Sequence, residues 1–451
     1  MRDEVQTGAL ERVTGFVLES GAAEIPAPVL RRAAFLLLDT LGICAASGPM
    51  EAGRIGREAA LRLYGAGQGE AARMLFDGRA VSLAGAVYAA ATQTDNLDGH
   101  DGYNPTKGHI GVVTVPTLAA LAESKPDLGG IEALASLVIG YEVSGRAAIT
   151  LHATVPEYHT SGAWNALGVV AMAARMRGQS AEQLRQALGI AEFHGPRSQM
   201  MREVATPTML HDGSGWGALA GMSAAVLAEL GFTGAPAVTV ERPEVVQYWA
   251  DLGQFWQVEH QYIKPYPTCR WAHAAVDAVR ELALAHGVRG QDVAGVHIRS
   301  FDNAVELWSL MPNTTSQAQY AVPFPVAVML THGRIGLEHI SGAGLSDPEV
   351  ARLVAATTMT ADPRHSSRYP GGRWADVELR LKDGRVLASG DVHARGGPER
   401  PFSEEDIVAK YMEFAVPVLG EARAVGLRDA VLALPGGAPF SAVARHLYDP
   451  V

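Results

Sequence analysis

The sequence predicts a mainly α protein with an α+β domain inserted before a helical end, and three observations lead there. The first half is rich in alanine, leucine and glycine in runs of helical length. A short, alternating, β-branched strand pattern begins only at Val293. The final stretch then returns to helical spacing, as a segment packing back on the first domain would. With 451 residues, 48% hydrophobic and 19% charged, the chain is globular and too long for one compact core.

The elements follow in order. Pro26-Ala27-Pro28 precedes VLRRAAFLLLDTLGICAAS, a helix with few polar positions and therefore largely buried. VSLAGAVYAAATQT is a second apolar helix, followed by TVPTLAALAES and by GIEALASLVIGYEVSGRAAITLH, which is apolar most of the way round. SGAWNALGVVAMAARMRG ends on Gly178, and Ser180 is placed to cap SAEQLRQALGIAEF. GWGALAGMSAAVLAELG ends at Gly231, and FTGAP marks a turn. The character changes after about Gln261. AHAAVDAVRELALAHG is helical, VAGVHIRS (Val293 to Ser300) is a half-buried strand, and VELRL and VLASGDV flank Lys382-Asp383-Gly384-Arg385, a hairpin signal. SEEDIVAKYMEFAVPVL and LRDAVLAL close the chain as helices.

Composition narrows function. A net charge of -11 without a basic, aromatic-laced groove argues against a nucleic-acid partner. Cys44 and Cys269 alone make neither a disulfide framework nor a thiolate zinc site. The N-terminal MRDEVQTGALERVTGF has no basic segment leading into an apolar core, and the apolar run after Arg32 is cut by Asp39. The expectation is a cytoplasmic protein with no signal peptide and no membrane span. With no P-loop, no G-x-S-x-G elbow and no dinucleotide fingerprint, no nucleotide or organic cofactor is expected.

Three polar clusters stand out. Thr94-Asp95-Asn96-Leu97-Asp98-Gly99-His100-Asp101, followed by His109, gathers proton carriers at the end of an apolar helix. A solvated loop of turn formers explains the composition equally well. Metal ligation by Asp95, Asp98, His100, Asp101 and His109 is chemically possible, but the spaced helical pair of a metallohydrolase is missing. Tyr158-His159-Thr160-Ser161-Gly162 opens a helix, where the dipole favours anions, though a lone histidine there is ordinarily structural. Lys264-Pro265-Tyr266-Pro267-Thr268-Cys269-Arg270-Trp271-Ala272-His273 lies where the helical region gives way to the mixed one. It is either a pocket at a domain junction or a rigid linker with incidental cations.

Together these clusters resemble the MmgE/PrpD family, which includes dehydratases, decarboxylases and an epimerase of small carboxylic acids. Asp95-Asn96-Leu97-Asp98-Gly99-His100 is similar to the family's D-F-D-D-T-H, and His109-Ile110-Gly111-Val112 to its H-P-[SG]. GYEVSGR, LHDGSGWGALAGMSAAVLAELGFTGAP, KPYPTCRWAHAAVDA and AQYAVPFPVAV resemble further family stretches in the same order. The resemblance implies a helical domain from residues 1–262 and 400–451 and an α+β lid from 263–399. It implies a homodimer and an active site at the domain junction, taking a small carboxylic acid without metal or cofactor.

It also implies catalytic roles for Asp95, His109, His159 and Lys264, with His100, Thr208, His211, Cys269, His273 and Phe324 around the substrate. Gly99 stands where the decarboxylase branch has threonine, Thr208 where it has lysine, Phe324 where it has tyrosine, and Cys269 near a histidine. Such losses remove charge-assisted bonds to a carboxylate, so the substrate is expected to differ from a tricarboxylate. Two histidines suit proton transfer beside a carboxylate, and Lys264 suits fixed positive charge. Among the outcomes, a lyase is expected, with dehydration ahead of decarboxylation. Epimerisation and a non-catalytic binding protein are the alternatives.

Overall fold

The computed structural model describes residues 2–451, with side chains from Gly8 onward. Ten helices lead the chain: α1 (Arg2–Leu18), α2 (Ala27–Ala46), α3 (Glu51–Leu63), α4 (Leu83–Asp95), α5 (Gly111–Ala122), α6 (Gly130–Thr154), α7 (Gly162–Arg177), α8 (Ala181–His194), α9 (Met200–Ala205) and α10 (Ser214–Glu229). A hairpin of β1 (Ala71–Arg73) and β2 (Ala80–Ser82) sits between α3 and α4. α8 starts with the expected cap: Ser180 and Gln183 form a reciprocal capping box.

Small residues let these helices approach closely. A β-carbon on Gly168 of α7 would meet Ser144 Oγ of α6 at 1.9 Å, and one on Gly217 of α10 would meet the Gly162 carbonyl of α7 at 2.5 Å. α7 is therefore gripped from both sides, and larger residues at these two positions would force the backbones apart. α6 is long and apolar enough to cross a membrane, yet 94% of its most apolar window is buried inside the protein. The burial makes it a central core helix of this domain.

The inserted part carries a five-stranded sheet in the order β4 (Thr357–Ala361), β3 (Val293–Ser300), β5 (Trp374–Leu381), β6 (Val386–Ala388), with β7 (Val392–His393) also pairing β5. β3 and β4 are parallel, and the other pairings are antiparallel. The β5–β6 turn falls at the predicted Asp383-Gly384, with Gly384 at φ 92°. Helix His273–His286 packs on β5 and against helix Pro323–His332.

The chain has two apolar cores. One draws on residues from Ala9 to Ile263 and again from Ile407 to Tyr448, and the other mainly on residues from Tyr266 to Ala394, joined by Ile43, Ala46, Leu97, Met200, Val204 and Phe414 of the helical region. Helices Glu404–Leu419 and Glu421–Leu432 pack on α2. An ion pair at 2.6 Å between Lys410 and the fully buried Asp39 of α2 fixes that return. Lys410 Nζ also donates to the Gly99 carbonyl at 2.7 Å, so the C-terminal helix holds the polar loop that follows α4.

Candidate active site

The loop between α4 and α5 is buried, which removes the solvated-loop reading. Asp95, Asn96, Asp98, His100 and Asp101 are each at most 4% exposed. The backbone of Gly102 pairs in both directions with that of Tyr262, tying the loop to the junction before the inserted domain. A β-carbon on Gly99 would meet Ile43 Cδ1 at 2.7 Å, so the family's threonine would require that side chain to shift. Gly111 is needed as well, since a β-carbon would lie 2.0 Å from Asp101 Oδ1. Its absence lets the first turn of α5 approach that carboxyl, to which the Gly111 N–H donates at 3.4 Å.

His109 is the best-defined proton carrier. Its Nδ1 lies 2.7 Å from the Asp101 carbonyl, which can only accept, so Nδ1 holds the hydrogen and Nε2 keeps a lone pair. Nε2 stands 3.7 Å from Asp212 Oδ2. Burial, then the charge of Lys264, holds the imidazole well below its ordinary pKa. Asp212 accepts from Ser161 Oγ at 2.6 Å, and burial pushes it up to about 6 despite that bond. Asp95 accepts the Ser214 N–H at the start of α10 at 3.1 Å, and burial followed by the charge of Asp212 raises it well above the carboxylate range. Lys264 is fully buried, bonded through Nζ to the Asp98 carbonyl at 3.0 Å and ion-paired with its carboxylate.

Asp98, His109 and Asp212 border a small cavity of about 30 Å³ between the two cores, room for about one or two waters, whereas Asp95 and Lys264 are not among its lining residues. Its walls include Asp98, Lys107, His109, Tyr158, Asp212, Tyr262, Cys269, Arg270, Tyr320 and Arg373. Outside it, a cavity of about 610 Å³ is lined by Thr160, Gln199, Glu203, Thr208, His211 and Trp216, among others. At this volume the inner cavity has no room for more than a few atoms.

The remaining candidates divide. Cys269 lines the cavity, with its thiol pushed up to about 12 by burial and hence protonated. His100 is fully buried, its ring edge-on to His109 at 4.6 Å, and neither ring nitrogen has a hydrogen-bond partner among the described residues. His211 borders the outer cavity and lies edge-on to Tyr320 at 5.4 Å, pushed down to about 3 by burial.

Four expected residues turn elsewhere. His159 does not line the inner cavity. Its Nδ1 lies 3.0 Å from the Glu157 carbonyl and its amide faces His152, while the neighbouring Tyr158 takes the wall position. Thr208 bonds Glu203 through Oγ1 at 2.9 Å and faces the outer cavity. His273 donates from Nε2 to the Thr268 carbonyl at 3.0 Å and accepts from Arg270 at Nδ1, 3.4 Å, so it orients that arginine without reaching the cavity. Phe324 is 0% exposed and packs into the second apolar core, on a helix buried throughout from Pro323 to Leu330. Tyr320, four residues earlier, reaches the cavity instead.

Sequence reasoning missed Asp212, Tyr320 and Arg373. The first two lie inside the recognised stretches LHDG and AQYAVPF, whereas Arg373 sits in an unremarkable PGGRW loop. The G-Y-E-V-S-G-R stretch proves structural. Tyr141 and Asp101 both crowd the space beside Gly111, and Glu142 pairs with Arg146, which also binds Asp251 at 2.9 Å.

Asp98, His100 and His109 present ligand atoms within 4.8 Å of one another, close enough for a metal ion. The Lys264 ammonium already occupies the Asp98 carboxylate, and His109 spends Nδ1 on a carbonyl, so a cation there would meet a resident positive charge. The second such group, Asp362, His365 and Asp376, is held by Arg299 and Arg364.

Two outcomes follow from the titrations. The acid limb of the kcat/KM profile is expected near pH 6, where Asp212 protonates and ceases to support a charged His109. In Asp212→Asn the limb should move lower, to the depressed value of His109 itself. Asp101 is pushed up to about 7 by burial and then by Asp39. A carboxyl raised on folding contributes fully below its unfolded value, about 4, and loses that contribution as pH rises through 7. Asp101→Asn should therefore raise the melting temperature more at pH 8 than at pH 5, measured by calorimetry.

Comparison with known proteins matches the MmgE/PrpD N-terminal domain over residues 11–255 and the MmgE/PrpD C-terminal domain over residues 266–434. Cis-aconitate decarboxylase of Homo sapiens is 24% identical over 363 residues, covering 74% of this chain and 73% of that protein. The Aspergillus terreus enzyme of the same name is 22% identical over 494 aligned residues, covering 99% and 97%. The cis-aconitate decarboxylase-like protein oryM of Aspergillus oryzae is 23% identical over 467, covering 94% of each.

Proposed function

This chain belongs to the MmgE/PrpD family, and from that membership we propose that it is a cofactor-independent lyase acting by proton transfer beside a carboxylate of a small carboxylic acid. The observation that carries the reading is His109: a neutral imidazole, fixed in one tautomer, with its free Nε2 bordering a buried cavity beside a carboxylate. A binding protein has no need of that arrangement. A general base at carbon requires it.

In this reading Lys264 fixes the Asp98 carboxylate at the cavity wall, and the positive end of that ion pair lies behind it. Tyr320, whose phenol burial keeps protonated, is the donor that returns a proton to carbon. Loss of carbon dioxide is put first because the similar proteins are decarboxylases by name. This reverses the order that sequence alone suggested, in which dehydration led. Decarboxylation breaks a C–C bond whose electron pair stays on the substrate until Tyr320 protonates it, so His109 takes a proton from carbon only in the dehydration and epimerisation outcomes. Epimerisation needs the same base and a proton returned to the opposite face.

Incubation with cis-aconitate and smaller unsaturated and hydroxy acids in deuterium oxide separates these outcomes by NMR. Decarboxylation releases carbon dioxide and leaves deuterium on carbon, dehydration removes water, and epimerisation exchanges one hydrogen without loss of mass. No product and no exchange with any of the acids would defeat the proposal.

A further inference from the structure

We propose that Asp95 and His100 form a proton relay, carrying hydrogen ions between a solvent-facing cavity beside Trp216 and His109 on the wall of the inner cavity. The inference rests on the lyase reading and gives that site its route for exchanging protons with water. Neither residue is among those lining the inner cavity, so both act on the reaction only through His109. Asp95, at the end of α4, lines a further cavity of about 410 Å³ with Tyr88, Thr92, Met209 and Trp216, among others. Met209 and Trp216 are 45% and 52% exposed, so this cavity meets solvent.

The connection inward runs through two imidazoles. The Ser214 N–H holds Asp95 Oδ2 at 3.1 Å, and Asp95 Oδ1 faces His100 Nε2 at 3.9 Å. A ring nitrogen of His100 lies within 4.8 Å of one on His109. His109 Nε2 in turn stands 3.7 Å from Asp212, which borders the inner cavity with it. The gap from Asp95 exceeds a hydrogen bond by about 1 Å, which a small ring rotation or one bridging water closes.

His100 suits transfer better than structure. It is 0% exposed, and both its ring nitrogens lack a partner among the described residues. A buried polar group left unsatisfied costs stability, so a purely structural position is better filled by an apolar side chain. A relay needs that freedom, because its imidazole takes a proton on one nitrogen and releases one from the other. Burial, followed by His109, Lys264 and Lys410, holds His100 well below its ordinary pKa, so it passes a proton on instead of keeping it. Decarboxylation sets the need, since it consumes one proton per turnover. The electron pair of the broken C–C bond takes the Tyr320 proton, and the phenolate must regain one. The inner cavity has room for only about one or two waters. The proton therefore enters through the wall to His109, and from there reaches the Tyr320 oxygen across the cavity that both residues line.

Exchange of the His109 ring N–H with solvent, followed by nitrogen NMR on the full chain without substrate, decides the proposal. It should slow by roughly ten- to a hundred-fold in Asp95→Asn, which keeps an acceptor for the Ser214 N–H, and in His100→Leu. With cis-aconitate, both variants should lose about ten- to a hundred-fold in kcat at unchanged KM, at or below the lower end for a lost acid–base group. Their solvent deuterium isotope effect on kcat should exceed the parent's. The melting temperature of His100→Leu should stay level or rise, because two unpartnered nitrogens are removed. Formate added to Asp95→Ala should restore turnover in proportion to its concentration, which a merely structural loss would not show. Ring exchange unchanged from the parent in either Asp95→Asn or His100→Leu would overturn the relay, whatever happens to kcat, and would spare the lyase. Slowed ring exchange in both, with no product and no deuterium in any acid, would keep the relay and sink the lyase.

Discussion

Replacing His109 by Gln is expected to lower kcat by about 10²- to 10⁴-fold, the range for loss of a general acid–base group. The argument is local. Glutamine can still donate an N–H to the Asp101 carbonyl that now receives Nδ1–H, so the loop keeps its anchor. Ser161 and Asn165 hold the backbone of residue 109, at 3.1 and 2.9 Å, and neither bond depends on the side chain. What disappears is the basic lone pair at Nε2. The melting temperature should stay within a few degrees, and single-turnover kinetics should show the loss in the chemical step. Turnover preserved in His109→Gln would move the base elsewhere, with Asp212 the next group to test.

Lys264→Met should abolish measurable turnover and destabilise the fold by about 3–5 kcal/mol, the scale for removing one partner of a buried ion pair. The ammonium is fully buried and bonded to both the carbonyl and the carboxylate of Asp98, a residue in the left-handed region at φ 55°. Without Lys264 the Asp98 carboxylate, already pushed up by burial, must take a proton or remain charged without a partner. Adding Asp98→Asn to Lys264→Met should restore most of the stability, read by denaturant melts, and none of the activity. Recovery of both would show that Lys264 only builds the loop. Recovery of neither would show that the lysine's contacts are needed for the fold by themselves.

Much of the helical frame was legible in the sequence because periodic burial is a property of a single element. The predicted runs ending near Gly178 and Gly231 match α7 and α10, and VAGVHIRS coincides with β3. The hairpin at Asp383-Gly384 followed from turn chemistry alone. Less legible were β1, β2 and β4, short strands of small or polar residues whose pairing depends on distant partners. α3 also gave a weak signal because its interior carries Gly53, Gly56 and several charges.

The site divides along the same line. Asp95, His109 and Lys264 lie in recognisable local stretches that the fold brings together, although of the three only His109 borders the inner cavity. His159, Thr208, His273 and Phe324 lie in equally recognisable stretches, yet their side chains bond or pack away from the inner cavity. Adjacent positions instead supply Tyr158, Asp212, Arg270 and Tyr320. A stretch names a neighbourhood, while a difference of one to four residues along a helix or turn decides which side chain faces the cavity.

By itself, then, the amino-acid order determined the helical and strand segments, the family, and the neighbourhoods from which a site is drawn. Those follow from periodicity and turn chemistry, which act over a few residues. Only the tertiary structure decided that the loop after α4 is buried, that His109 keeps its free nitrogen toward the cavity, and that Arg270 and Arg373 have no acidic partner among the described residues. Those features arise when distant segments share one low-dielectric space, where each charge must find its partners from another part of the chain.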